Sequence, residues 1–479
     1  MEAARDDRPG LPALFRDMAA TCRRLQAPTY ADLAGFVADD VESFGPFLAI
    51  LEPYADARVG DMVPLRFFAA IQRLVLERRA PELGVFLATL GGTAPESDAA
   101  RAACRTALRQ VVAAHGQAIA EGLRWFPQTN EVGRTAVLVA LLREIGSEWG
   151  LPVRLHEIGA SAGLALRADA LVSAGIVPAE REDIGGVPEI VERLGCDTAP
   201  IDPLTADGRL LLTSFIWPDH PERFERLRGA LDLAGRVPAD VVAQDALDYV
   251  RDLRLREGTT LVLWHSAMWM YLPPESRRAI ERALARLGEG ASATSPLVHV
   301  ALEPTSEVSG EQHVFRLRVT CWPGMDEVPA GMPVTRATTP PSGLPVSWSV
   351  PCVGAIVHDE RGRLLLIQRG REPAQGSWSL PGGRVHAGET FAQAVAREVR
   401  EETGLTVTVG EMIGAVDRAA PDGSTYDIRD FRAYVDGSPE PVAGDDAADA
   451  RWVSLAELEA LPTSPGLVDA LTAWDALPR

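Results

Sequence analysis

Between residues 12 and 150 apolar side chains recur every three to four positions, and from about residue 151 the pattern changes to short apolar runs alternating with amphipathic ones. The first pattern predicts helices in LPALFRDMAATCRRL (11–25), VPLRFFAAIQRLVLERRA (63–80), AARAACRTALRQVVAAHGQAIAEGL (99–123) and RTAVLVALLREIGSEW (134–149). Between the last two, Phe126–Arg134 places polar residues against a helix start, where they either line a cleft or cap the helix through Thr129 or Asn130. The second pattern predicts strands in VRLHEI, ADVVA, TTLVLW, PLVHVALEPT and HVFRLRVTCW, with PPESRRAIERALARLG (273–288) as a helix opened by proline. Strands alternating with helices imply a mainly parallel sheet whose ligands sit at the C-terminal strand ends.

The stretch 323–345 is rich in Pro, Gly and Thr and fits an irregular connection. Beyond Trp348 the pattern restarts. VPCVGAIVHD, LLLIQRG, TVTVGEMIGAVD and YDIRDFRAYVD read as strands, SLAELEAL and GLVDALTAWDAL as closing helices. The expectation is an α/β chain in three parts: helices over 12–150, a parallel-sheet domain over 151–348, and a further α/β domain over 349–479.

Composition narrows the function. A chain of 479 residues is too long for one ordinary domain. A formal net charge of −20 argues against broad binding to nucleic acid or to an anionic membrane, though not against a small phosphate pocket. All 47 basic side chains are Arg, which excludes a lysine nucleophile or Schiff base. Five separated cysteines without C-x-x-C spacing suggest neither a zinc site nor a disulfide framework. The polar start MEAARDDRPG has no signal-peptide core, and no apolar run approaches membrane-spanning length, so the expected compartment is the cytoplasm. The oligomeric state is not legible.

The densest chemistry lies in GRVHAGETFAQAVAREVREETGL, residues 383–405. Pro381-Gly382-Gly383 predicts a turn; Thr390 followed by Gln393 predicts a capping box with a helix from Phe391. Phe391, Val395 and Val399 form its buried stripe, and Gly404 marks a left-handed stop. Glu398, Glu401 and Glu402 then share one helix face. Like charges at this spacing oppose each other by roughly 0.2–0.5 kcal/mol per pair, and a hard divalent cation would reverse that sign. The bland alternative is a solvated acidic face.

Nine positions (Gly383, Glu389, Arg397, Glu398, Val399, Glu401, Glu402, Gly404, Leu405) fit G-x5-E-x7-R-E-U-x-E-E-x-G-U, with U aliphatic. The segment 349–479 thereby resembles the MutT/Nudix hydrolases. The resemblance implies a Nudix α/β/α sandwich and Mg²⁺- or Mn²⁺-dependent hydrolysis of a nucleoside diphosphate linked to another group. It implies Glu398, Glu401, Glu402 and the Gly382 carbonyl as metal ligands, and Glu389 as an outer ligand or support. Arg397 is implied to hold a box glutamate, and Asp446, beside Asp445, to be an acidic group outside the box. His386 stands where many relatives carry an acid. ADP-ribose-like compounds or nucleotide sugars are the favoured substrates. The rival reading is a silent nucleotide-binding sensor, against which the full set of glutamates argues.

In the middle of the chain, Glu157-x-Gly159-x-x-x-Gly163 follows a predicted strand, with Asp245 ending a later one. This resembles motif I of class I methyltransferases, with Ser161 where those enzymes often have Gly. It implies a Rossmann-like sheet behind the helical N-terminal cap, and a candidate S-adenosylmethionine site at Glu157, Gly159, Gly163 and Asp245. No methyl-acceptor motif follows LVLWHS. The phrases QTNEVGR, EIGASAGL, GCDTAPIDPL, FIWPDHPERFERL, LWHS and SGLPVSW together resemble an uncharacterised bacterial domain of unknown function over 12–348.

Overall fold

The amphipathic stretches form helices at Leu11–Arg24, Pro28–Glu42, Val63–Leu76, Asp98–Gly122 and Thr135–Trp149 in a computed structural model of the chain. The structure describes residues 9–128, 131–304, 314–325, 334–371, 374–386, 389–419, 425–444 and 447–478. Thr129, Asn130, Asp445 and Asp446 lie outside the described residues. The chain divides into two compact units, residues 1–315 with 340–345, and residues 316–339 with 346–479.

In the first unit the helices pack around Phe15, Phe67 and Phe68, whose rings meet edge to face at 5.5–6.2 Å. Polar side chains join this layer to the α/β part of the same unit. Tyr30 donates to Gln72 Oε1 at 2.7 Å, and the Gln72 amide donates to the Ile216 carbonyl at 2.5 Å. Both are buried, so each group needs the other. The sheet holds β1 (Val153–Ile158), β2 (Ile190–Asp197), β3 (Asp240–Ala243), β4 (Thr260–Ser266) and β5 (Leu297–Pro304). Their order is β3-β2-β1-β4-β5, every neighbouring pair parallel. β1 and β4 are the central strands, and all six residues of β1 and six of the seven of β4 are buried, as strands covered on both faces of a parallel sheet must be.

The second unit contains β6 (Phe315–Trp322) apart from its first residue, β7 (Val334–Thr339) and β8 (Ser347–Trp348), followed by β9 (Val350–Val357), β10 (Leu364–Arg369), β11 (Trp378–Ser379), β12 (Thr408–Ala419), β13 (Thr425–Tyr434) and β14 (Ala447–Val453). β13 lies between β12, antiparallel, and β9, parallel. β10 lies between β11 and β14, both antiparallel. Alternation along β9 sends Val353, Ala355 and Val357 to one face, against the helix Phe391–Thr403, and Ile356 to the other, toward Leu458 and Leu471 of the closing helices. The result is the expected α/β/α layering. Residues 316–339 precede Trp348 in sequence yet belong to this unit: Thr335 donates to Asp417 at 2.8 Å, and Arg316 pairs with the same carboxylate at 3.3 Å.

Among the described residues no helix is long and apolar enough to cross a membrane.

Candidate active site

Residues 381–405 build a glycine loop, a capped helix and a left-handed stop. The Pro381 and Gly383 carbonyls accept from Ala355 and Val353 of β9, at 2.8 and 2.9 Å, so the loop runs along that strand. A Cβ on Gly382 would collide with the Val353 carbonyl oxygen, and one on Gly383 with the Glu398 carboxylate. Gly382 therefore requires glycine because the opposing atoms are backbone, whereas a side chain at 383 would displace the Glu398 carboxylate from its place. The helix starts with the capping box formed by Thr390 and Gln393 and stops at Gly404, whose φ is 68°. Phe391, Val395 and Val399 are buried, and this orients the opposite face.

On that face Arg397 is the hub. Its Nε and Nη2 donate to the two Glu389 oxygens at 2.8 and 2.9 Å, and its Nη1 donates to Glu398 at 2.7 Å and Glu401 at 3.0 Å. The Arg384 carbonyl takes a fifth bond at 2.9 Å. The fork thus grips Glu389 bidentately and two box glutamates singly. Hydrogen bonding from Arg397 pulls the Glu389 carboxyl down to about 2. Burial pushes Glu398 up, against the pull of Arg397. Glu402 accepts from the Gly382 amide at 2.8 Å, which ties the helix to the glycine loop.

Glu398 lies one turn before the end of the helix, and Glu401 and Glu402 lie with Arg400 in its last turn, where the macrodipole is negative. Three carboxylates there create a demand for positive charge that Arg397 meets only in part. Arg397 engages one oxygen of Glu398 and one of Glu401. An all-oxygen donor set of this kind suits Mg²⁺ or Mn²⁺. Among the described residues no group of three such side chains has gathered around a common point at ligand distance. The donors are present, and they are held by Arg397 and the Gly382 amide. The segment preceding Asp445 and Asp446 lies along the end of this helix, with Val442 and Gly444 donating to the Thr403 and Glu402 carbonyls at 2.9 and 3.2 Å.

The first unit holds a cavity of about 790 Å³ at the C-terminal ends of its strands. It lies where the strand order reverses between β1 and β4, the place where open α/β sheets take ligands. Glu157, Gly159 and Asp245 line it; Gly163 instead packs beneath, toward Val241. Gly159 has φ 69°, and Ser161, also lining the cavity, has φ 51°, a conformation a serine adopts only when its surroundings enforce it. The enforcing contact is Asp197 at the end of β2, which accepts from the Ser161 amide at 2.9 Å. Sequence reasoning missed Asp197, although GCDTAPIDPL was singled out as a phrase. Asp245 caps the helix Ala246–Asp252, accepting from Leu247 at 2.8 Å, so part of its role is structural. Burial, with the charge of Asp197 beside it, pushes the Glu157 carboxyl well above its ordinary range.

A family model described as "Uncharacterized protein conserved in bacteria (DUF2332)" matches residues 12–348, and one described as "NUDIX domain" matches residues 348–473. The ADP-ribose pyrophosphatase of Methanocaldococcus jannaschii is 39% identical over 108 residues, which is 22% of this chain and 62% of that protein. The match thus spans about three-fifths of that relative's length. The "Putative 8-oxo-dGTP diphosphatase 2" of Mycobacterium tuberculosis is 46% identical over 110 residues, 22% of this chain and 72% of that protein. Among solved structures, the MutT protein from Methanosarcina mazei Go1 is 30% identical, covers 26% of this chain and 93% of its own, and has a TM-score of 0.24.

Proposed function

From a chain that belongs to the DUF2332 family and carries a NUDIX domain at its C-terminus, we propose an enzyme whose second unit cleaves a diphosphate linkage in a nucleoside diphosphate joined to a further group. The observation that carries this reading is the Arg397 hub, which sets Glu398, Glu401 and Glu402 beside the glycine loop at a helix end with too little positive charge of its own. In the reaction water attacks one phosphorus, the bridging P–O bond breaks, and the displaced phosphate leaves with the bond's electron pair. When bound, Mg²⁺ or Mn²⁺ supplies charge neutralisation and a more acidic water. The chain's own residues do the rest. Glu398, Glu401 and Glu402 would hold the ion, Arg397 holds two of them in position, and the Gly382 amide fixes the third. Asp446 is proposed as the acidic group from outside the box.

ADP-ribose-like compounds and nucleotide sugars are the proposed substrates, and the name of the Methanocaldococcus relative supports that class. The name of the Mycobacterium relative favours oxidised nucleoside triphosphates as a second reading. For the first unit we propose a small-molecule site in the strand-end cavity, with S-adenosylmethionine as the candidate occupant.

The test is hydrolysis by the full chain with Mg²⁺ of ADP-ribose, nucleotide sugars, NADH, diadenosine polyphosphates and 8-oxo-dGTP, with Glu402→Gln as control. Turnover of one class, lost in the variant, supports the proposal and selects the substrate. Nucleotide binding without turnover on any of them would replace it with the silent sensor.

A further inference from the structure

Two buried ionisable side chains in the cavity of the first unit have no ion-pair partner of opposite charge among the described residues. The first is Arg134, at the start of the helix Thr135–Trp149 and only 8% exposed. Its Nε donates to the Pro341 carbonyl at 2.9 Å and its Nη1 to the Ser266 hydroxyl at 3.3 Å, and the guanidinium lies 4.6 Å from the Phe315 ring centre. All three partners are neutral. Among the described residues no carboxylate stands within ion-pair distance of it: Glu131 and Glu303 act on it only from farther away, and Glu131 already pairs with the nearby Arg223 and Arg226. Burial lowers the Arg134 guanidinium to about 10. A guanidinium removed from water without a counter-charge is costly, and folded proteins tolerate it where a ligand supplies the missing anion.

The second is Glu157, 7% exposed, whose Oε2 makes no well-formed hydrogen bond, although the Trp264 indole lies close enough to favour its charged form. Asp197 and Arg167 are the charged side chains that act on it; Arg134 is not among them. Cation and acid therefore do not satisfy each other, and both line the same cavity. Around it Phe126, Met270 and Tyr271 remain 50%, 47% and 43% exposed, an apolar lining open to a ligand.

We propose that this cavity binds a small molecule bearing an oxyanion, carboxylate or phosphate, which pairs with Arg134, and an amine or hydroxyl donor, which faces Glu157. The inference deepens the reading of the cavity as a small-molecule site and does not depend on S-adenosylmethionine being the occupant.

The experiment uses the full chain, its Arg134→Met variant, and three probes. Sulfate is an oxyanion alone. S-adenosylmethionine carries a carboxylate, and 5′-methylthioadenosine is its nucleoside thioether without the amino-acid end. At ionic strength matched with chloride, sulfate is expected to raise the melting temperature of the wild type by about 2 °C more than that of the variant. S-adenosylmethionine, by calorimetry, is expected to bind the variant at least tenfold more weakly, while 5′-methylthioadenosine is indifferent. A sulfate effect specific to Arg134 without S-adenosylmethionine binding keeps the oxyanion site and removes that occupant. S-adenosylmethionine bound equally by both proteins keeps the occupant and overturns the role of Arg134. Equal sulfate responses with no binding of S-adenosylmethionine overturn the proposal. Should Arg134→Met not fold, Arg134→Lys keeps the charge without the planar fork. It is expected to weaken the anionic probes severalfold, and an unchanged response would overturn the proposal as well.

Discussion

Arg397→Lys separates charge from geometry at the proposed hydrolase centre. Arg397 makes five hydrogen bonds, two to Glu389, one each to Glu398 and Glu401, and one to the Arg384 carbonyl. A lysine ammonium keeps the charge but has no planar fork, so it can serve about two of the five. Charge-assisted bonds are worth roughly 1.5–3 kcal/mol each when buried. The Arg397 side chain is 15% exposed and that of Glu401 is 37%, which screens the contact and brings the value nearer 1 kcal/mol per bond. Losing three bonds then loosens the cluster by about 3 kcal/mol. Only the part that keeps Glu398 and Glu401 in place reaches the chemistry, so kcat/KM is expected to fall about 10- to 100-fold. The Mg²⁺ concentration for half-maximal rate should rise, because the carboxylates must be gathered against their own repulsion. Steady-state hydrolysis over a Mg²⁺ titration, with Arg397→Met beside Arg397→Lys, gives both quantities. A lysine variant within threefold of wild type across the titration would refute the hub.

The remaining predictions probe packing and protonation. Gly382→Ala drives a methyl into the Val353 carbonyl, so it should lower the melting temperature and abolish hydrolysis together; normal stability with normal turnover would contradict the close approach. The His265 Nδ1 faces Glu303 at 2.7 Å, and a carboxylate only accepts, so His265 donates there and its Nε2 accepts a hydrogen bond from the His299 Nε2–H at 3.0 Å. Burial lowers His299 to about 3, below an unfolded value of about 6.5, so the fold stays neutral where the unfolded chain gains a proton. Its contribution is present above about pH 6.5 and is lost as pH falls toward 3; His299→Gln should flatten this loss in urea melts at pH 7 and 5. Asp430 runs the other way. Burial raises it to about 7, so its contribution is full below about pH 3.9 and lost as pH rises through 7. Asp430→Asn should stabilise the second unit at pH 8 relative to pH 5, and an equal effect at both would refute the assignment.

The local devices of this protein were determined by sequence alone. The capping box at Thr390, the buried stripe of Phe391, Val395 and Val399, the stop at Gly404 and the shared face of the three glutamates all follow from spacing along one helix, because helical periodicity fixes which side chains are neighbours. The strand-and-turn segment around Gly159 was legible from a strand run followed by closely spaced glycines. What the tertiary structure decided are contacts between segments distant in the chain. Arg397 grips Glu389 across the loop, Asp197 enforces the backbone of Ser161 from another strand, and residues 316–339 lie with the second unit through Asp417. From sequence, Arg134 belonged to a polar stretch that either lines a cleft or caps a helix, with nothing to single it out. Its burial without an ion-pair partner exists only once Pro341, Ser266 and Phe315 close around it. Periodicity reports which face a side chain takes, whereas desolvation depends on everything that packs against that face, and no local pattern encodes it.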